Sequence, residues 1–172
     1  MLPTHRYGPM TNVAVQLVGR VGVAVNNATS PSADDWDAYL AMAGEGMKLA
    51  GGLARFKQLV VTDGGGPNAA QRKATMDLAS RYGDPSTMKI AAVSNNIGVR
   101  GMVTAFNWVG APIRAFSPTQ LGDAFAYLAI SDDDALAVCR VVTELSDKIV
   151  GGVASAQSAP DMVRSLSKRG GR

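Results

Sequence analysis

The sequence predicts an α/β fold in which a mixed sheet of about five strands is covered by helices, with one further helix appended after it. Three observations carry that expectation. Short β-branched runs alternate with stretches whose apolar residues recur every three or four positions, the two periods of strand and helix. A hairpin opens the pattern and helical crossovers continue it, so an antiparallel pair is joined to parallel strands. The run Gln58-Leu59-Val60-Val61-Thr62 then stops at Asp63-Gly64-Gly65-Gly66-Pro67-Asn68, and a helical pattern follows at once. Pro67 suits the first helical position, where the missing N–H costs nothing.

The elements follow in order. Residues 1–11 hold two prolines and the lone His5 without periodicity, and read as a loosely held leader. Val13–Val18 and Val21–Val25 flank Gly19-Arg20 as a hairpin. Ser32 caps the first helix with Asp35 at the capping-box position, and Trp36, Tyr39, Leu40, Ala43 and Met47 give its apolar face up to Gly51-Gly52. Lys57–Thr62 is the third strand and Pro67–Tyr82 the second helix. There Ala70, Ala74 and Leu78 fall four apart, small enough to bring the helix close to the sheet.

Met88–Ser94 is a fully apolar fourth strand. Asn95-Asn96-Ile97-Gly98 turns the chain into a third helix, whose face is Val99, Met102, Val103, Phe106 and Val109. Ile113–Phe116 is a short fifth strand, and Ser117-Pro118-Thr119-Gln120 starts a fourth helix buried through Leu121, Ala124, Phe125 and Leu128. The order over residues 12–130 is β-β-α-β-α-β-α-β-α. An appended helix is expected over 131–152, and 153–172 reads as a basic, mobile tail.

A chain of 172 residues fits one domain with a core of its own. Cys139 is the only cysteine, which excludes an intrachain disulfide. With no secretory apolar segment, this points to a reducing cytoplasm. No apolar run approaches the ~18 residues of a membrane span. The net charge of +3 resides in the last segment, where Arg164, Lys168, Arg169 and Arg172 face Asp161 alone. The body is neutral and predicts no nucleic-acid partner.

Catalysis is not expected. His5 stands alone in the leader and Cys139 lies on an apolar helix face, so neither a metal site nor a Ser-His-Asp or Cys-His arrangement is indicated. Asp132, Asp133 and Asp134 follow Ser131 where a helix N-terminus favours negative charge. The glycine corner has neither the Gly-Lys-Ser/Thr ending of a P-loop nor the spacing of a dinucleotide site, so no cofactor is expected.

The working surface is expected at the carboxyl ends of the parallel strands, where open α/β sheets gather ligands. Asp63, Gly64, Gly65, Gly66 and Asn68 follow the third strand, and Asn95, Asn96 and Arg100 follow the fourth. Together they are the candidate partner- or anion-binding residues, with Arg100 the cation suited to a carboxylate or phosphate. A turn in which glycine merely permits the corner is the competing reading.

This order, with an acidic residue and glycines at the corner after the third strand, resembles the STAS domain of bacterial anti-sigma-factor antagonists. The segment 89–128 is similar to uncharacterised bacterial proteins of the STAS/SEC14-like group. The residues concerned are Lys89-Ile90-Ala91-Ala92-Val93, Arg100, Phe106-Asn107-Trp108, Pro112-Ile113-Arg114-Ala115-Phe116 and Ala124 through Leu128. The resemblance implies a bacterial regulatory module whose corner serine is phosphorylated by a partner kinase. Here Gly64 and Gly65 stand where the usual serines would, so the acceptor hydroxyl is missing. Thr62 and Ser94 are the substitute candidates.

The expected function is therefore a non-catalytic regulatory or scaffold module that binds a protein partner, a kinase or other regulator, through these corners. The alternative is a SEC14-like carrier of a small apolar ligand or lipid, held in a pocket between sheet and helices. The broad apolar arc of the appended helix, from Ala135 to Val150, needs cover from its own domain or from a second subunit in a homodimer.

Overall fold

Gly19, at φ 58°, turns the chain between two strands whose residues pair from Val18 with Val21 out to Val13 with Asn26. The computed structural model describes residues 12–99, 101, 103 and 112–169. The leader and most of the expected third helix, with Arg100, Met102, Phe106, Trp108 and Val109, lie outside them. The strands are β1 Val13–Val18, β2 Val21–Asn26, β3 Lys57–Thr62, β4 Lys89–Val93 and β5 Ile113–Phe116. The helices are α1 Ala33–Ala50, α2 Ala69–Ser80, α3 Leu121–Leu128, α4 Asp132–Ser146 and α5 Ala159–Arg169. Residues 97–99, 101 and 103 are also helical.

The sheet runs in chain order, β1-β2-β3-β4-β5, with β1 antiparallel to β2 and all other pairs parallel. The expected α/β class with a mixed five-stranded sheet is thus the observed one. Alternation along each strand divides the core in two. Val23 and Val25, Leu59 and Val61, Ala91 and Val93, and Phe116 face α3, α4 and α5. Ala24, Val60, Ile90, Ala92 and Ile113 face α1, α2 and the helical residues Val99 and Val103. Sequential parallel strands joined by crossovers of one hand place every crossover on one face, which leaves the other to the C-terminal helices. Leu59, Val23 and Leu128 are wholly buried at the centre, each worth about 1.5–3 kcal/mol of apolar transfer.

Capping chemistry sets the helix starts. Ser32 and Asp35 form the expected reciprocal box at the head of α1, and Ser131 accepts the Asp134 N–H at the head of α4. The second helix differs from expectation. Asn68 and Gln71 form its capping box, so α2 begins at Ala69 and Pro67 stays outside. Ala70 is exposed, and Ala74 and Leu78 are only half-buried. α2 rests on α1 and stands off from the sheet, opening a space beneath it.

Two expectations for the C-terminal part also change. The appended helix stops at Ser146, and Gly151 and Gly152, both at positive φ, lead into a short 3-10 turn at Ala154–Ala156. The stretch expected as a mobile tail forms α5, with Ala159 and Leu166 buried against the core and Met162 and Val163 half-buried on it. Spacing of three to four between these apolar residues gives α5 a packing face that its basic residues masked in the sequence. The apolar arc of α4 is covered by β1, β2 and α5, so the surface on which the homodimer expectation relied is occupied within the chain. Among the described residues, no helix is long and apolar enough to cross a membrane.

Candidate functional site

The last residues of β2 and β3 build the glycine corner from inside. Asn26 and Thr62, both buried, lie opposite each other in register. Asn26 Nδ2 donates to Thr62 Oγ1 at 2.7 Å and to the Gly65 carbonyl. The Thr62 hydroxyl donates to the Gly65 carbonyl at 3.0 Å and accepts the Gly64 N–H at 3.0 Å. The Gly65 N–H in turn donates to the Asn27 carbonyl at 3.0 Å. These bonds draw Gly65 so close to the β2–α1 loop that a Cβ there would lie 2.2 Å from the Thr29 carbonyl oxygen.

The Asp63 carboxylate turns away from the corner to the C-terminal segment. It accepts the Ala154 N–H at 2.7 Å and the Ser155 N–H at 2.8 Å, the free donors that open the 3-10 turn. The Ser155 hydroxyl lies 2.9 Å from the Thr62 carbonyl and 3.0 Å from Asn95 Oδ1, and accepts the Asn95 N–H at 3.2 Å. Asn96 Nδ2 donates to the Asp63 carbonyl at 3.2 Å. This clasp joins the ends of β3 and β4 to a segment more than ninety residues downstream of Asp63.

Of the expected site residues, Asp63, Gly64, Gly65, Asn95 and Asn96 are brought into one hydrogen-bonded network, and Asn68 is spent on capping α2. Gly66 borders the space beneath α2. Arg100 lies outside the described residues. The substitute phosphate acceptors sit inside: Thr62 is 5% exposed and Ser94 2%, and the Ser94 hydroxyl accepts the Asn96 N–H. Sequence reasoning missed Asn26 and Ser155. A polar residue closing an otherwise apolar strand was the available signal for Asn26; for Ser155 there was none.

The space under α2 is a cavity of about 460 Å³. Ala24, Val60 and Ala92 of the sheet form its floor, and Trp36, Tyr39 and Met76 its walls. The Trp36 and Tyr39 rings stack 4.4 Å apart, and Trp36 Nε1 donates to the Gln71 carbonyl at 3.0 Å, pinning α1 to α2. Burial alone pushes the Tyr39 hydroxyl up to about 12. Arg72 and Lys73 supply the only charged groups in the described lining, and Lys73 is paired with Asp77 at 2.6 Å. The glycine corner closes the strand-end side through Thr62, Gly65 and Gly66, so corner and cavity are two faces of one structure.

Among the described residues no three of His, Cys, Asp and Glu gather into a group that would hold a metal. Cys139 is fully buried, and burial pushes its thiol up to about 12, far from a thiolate nucleophile. No protein-family model matches the chain, and comparison with curated proteins and with solved structures found no match.

Proposed function

We propose that this protein is a non-catalytic cytoplasmic binding protein that holds a small, mainly apolar ligand between the sheet and the α1/α2 layer. The observation that carries the reading is the cavity of about 460 Å³. Its volume falls within the ~300–1,000 Å³ of ordinary ligand sites and matches about fifteen water-sized groups at ~30 Å³ each. An apolar space of that size left empty forfeits packing that closure of α2 onto the sheet would recover. A SEC14-like carrier, the alternative implied by the sequence resemblance, has this character.

The test uses the neutral fluorophore N-phenyl-1-naphthylamine and the Ala92→Leu variant, which extends a floor residue into the cavity. Wild type should bind one probe saturably with enhanced fluorescence. Ala92→Leu should lose that binding while unfolding at the same or a higher temperature. Absence of saturable binding by wild type, or equal binding by the stable variant, would refute the reading.

One observation favours a second reading, a STAS-type module that binds a kinase or other regulator. Ile97 is 78% exposed beside Asn95 and Asn96, on the rim of the corner. Affinity capture from source cells should then yield a stoichiometric protein that Ile97→Glu releases. An unchanged capture with Ile97→Glu rejects the rim as its surface.

A further inference from the structure

At the opposite edge of the sheet, where the parallel strands begin, three cations gather from three strands. Lys57 and Lys89 lie opposite each other in the β3–β4 register. Arg114 follows on β5, opposite Ala91 and so diagonal to Lys89. By strand alternation all three belong to the face of Leu59, Ala91 and Phe116. Helix α3 brings Tyr127 among them: Lys89 Nζ lies 5.6 Å and Arg114 Cζ 5.8 Å from its ring centroid. The Tyr127 hydroxyl donates to the Pro112 carbonyl at 2.9 Å, which fixes the ring.

We propose that Lys57, Lys89 and Arg114, the last two flanking the Tyr127 ring, form an anion site that takes a phosphate group. Like charges opposed on adjacent strands destabilise a sheet, and an acidic neighbour ordinarily relieves them. None does so here. Lys73 pairs with Asp77 and Arg164 with Asp161, and neither pair includes a member of the cluster. Asp123, in the first turn of α3, forms no ion pair with the cluster, and the acidic run Asp132–Asp134 sits at the head of α4, where Asp134 bonds Ser131. Lys57 is half-buried, and its burial together with Lys89 lowers its pKa, so the cluster holds its charge against resistance.

The chemistry of the three groups selects the anion. An arginine fork and two ammonium groups offer more donors than one carboxylate can accept, whereas a phosphate dianion has three terminal oxygens. Lys89 and Arg114 are exposed, so the ligand arrives from solvent. This site lies on the other sheet face from the cavity and does not depend on what the cavity holds. A soluble phosphate compound and a phospholipid headgroup present the same group to it.

The experiment titrates the full chain with inorganic pyrophosphate at low ionic strength, by calorimetry and by thermal unfolding. Wild type should bind saturably and gain thermal stability. Lys89→Gln and Arg114→Gln should each weaken binding at least tenfold, while Arg164→Gln, on α5, leaves it unchanged. Without ligand, Lys89→Gln should unfold at a higher temperature than wild type, because the opposed charge is gone. In parallel, flotation with phosphatidylcholine vesicles containing phosphatidic acid reports a headgroup source. Retention that Lys89→Gln and Arg114→Gln abolish, without pyrophosphate binding, assigns the same site to lipid. Binding to neither, or binding that both variants leave intact, overturns the proposal.

Discussion

Replacing Gly65 with alanine tests the close approach on which the corner is built. The new Cβ would lie 2.2 Å from the Thr29 carbonyl oxygen and 2.5 Å from that of Asn27, both backbone atoms that no rotamer change moves. Ordinary contact begins at 3.4 Å, so corner and loop must part by about 1 Å. That movement stretches the Gly65 N–H bond to Asn27 and the Asn26 bond to the Gly65 carbonyl. Overpacking of this kind costs ~1–3 kcal/mol and a lost buried hydrogen bond about 1 more. The sum is about 3 kcal/mol, or roughly 6–12 °C in Tm for a chain of this size. Gly19→Ala is the comparison. Gly19 has φ 58° but nothing within 4 Å of an added Cβ, so only the left-handed penalty of about 1 kcal/mol applies. The glycine with ordinary φ should therefore cost more to replace than the one with positive φ. Urea unfolding monitored by tryptophan fluorescence measures both. A Gly65→Ala cost no greater than that of Gly19→Ala would show that the corner is not held by this contact.

Three further outcomes are expected. Asp63→Ala leaves the Ala154 and Ser155 N–H groups unpaired and should cost about 2 kcal/mol, with faster hydrogen exchange at those amides; unchanged exchange there would contradict the clasp. Tyr39 and Cys139, with ordinary values of 10.0 and 9.0, are both pushed up to about 12 in the folded chain, so the unfolded chain loses these protons first. Stability should fall as pH rises from about 9 toward 12, and Tyr39→Phe should flatten the upper part of that fall in a Tm-against-pH series; an identical slope in the variant counts against the assignment. The Cys139 thiol should resist a disulfide reagent at pH 8 in the native protein and react on unfolding, and prompt native reaction would show that the α4 face opens.

The parts of this structure that were legible in the sequence are those decided locally. The Gly19-Arg20 hairpin, the Ser32–Asp35 capping box and the β3 and β5 limits follow from adjacent residues, and the structure has them there. The start of α2 was legible but misread, because Asn68 and Gln71 carry a capping box that Pro67 drew attention from. Periodicity then named the apolar face of α2 without fixing its distance from the sheet, and that distance is what makes the cavity. α5 was hidden by its charges, since a short amphipathic run is stable only where a core receives it. The Asp63–Ser155 clasp joins positions 92 apart, and the Lys57–Lys89–Arg114 cluster is assembled by strand register. A neutral net charge over the body concealed it. Partners so far apart in the chain leave no local pattern to read.

A sheet whose spatial order equals its chain order has a kinetic consequence. During synthesis each emerging parallel strand meets a neighbour already made, so the sheet extends at one edge without rearrangement. The face of Val23, Leu59 and Ala91 has no such advantage, because every helix that covers it is encoded after β5. At ~5–20 residues per second, the stretch from Ser117 to Arg169 that supplies these helices takes roughly 3–10 s to appear. For that interval the nascent protein presents a bare apolar sheet, the kind of surface that chaperones hold and that aggregates without them. The Asp63 carboxylate waits longer still, since its acceptor role begins only when residues 154 and 155 leave the ribosome. Chains ended at Phe116 should therefore be captured by holdases or precipitate, and their release as soluble monomers would contradict this order of assembly.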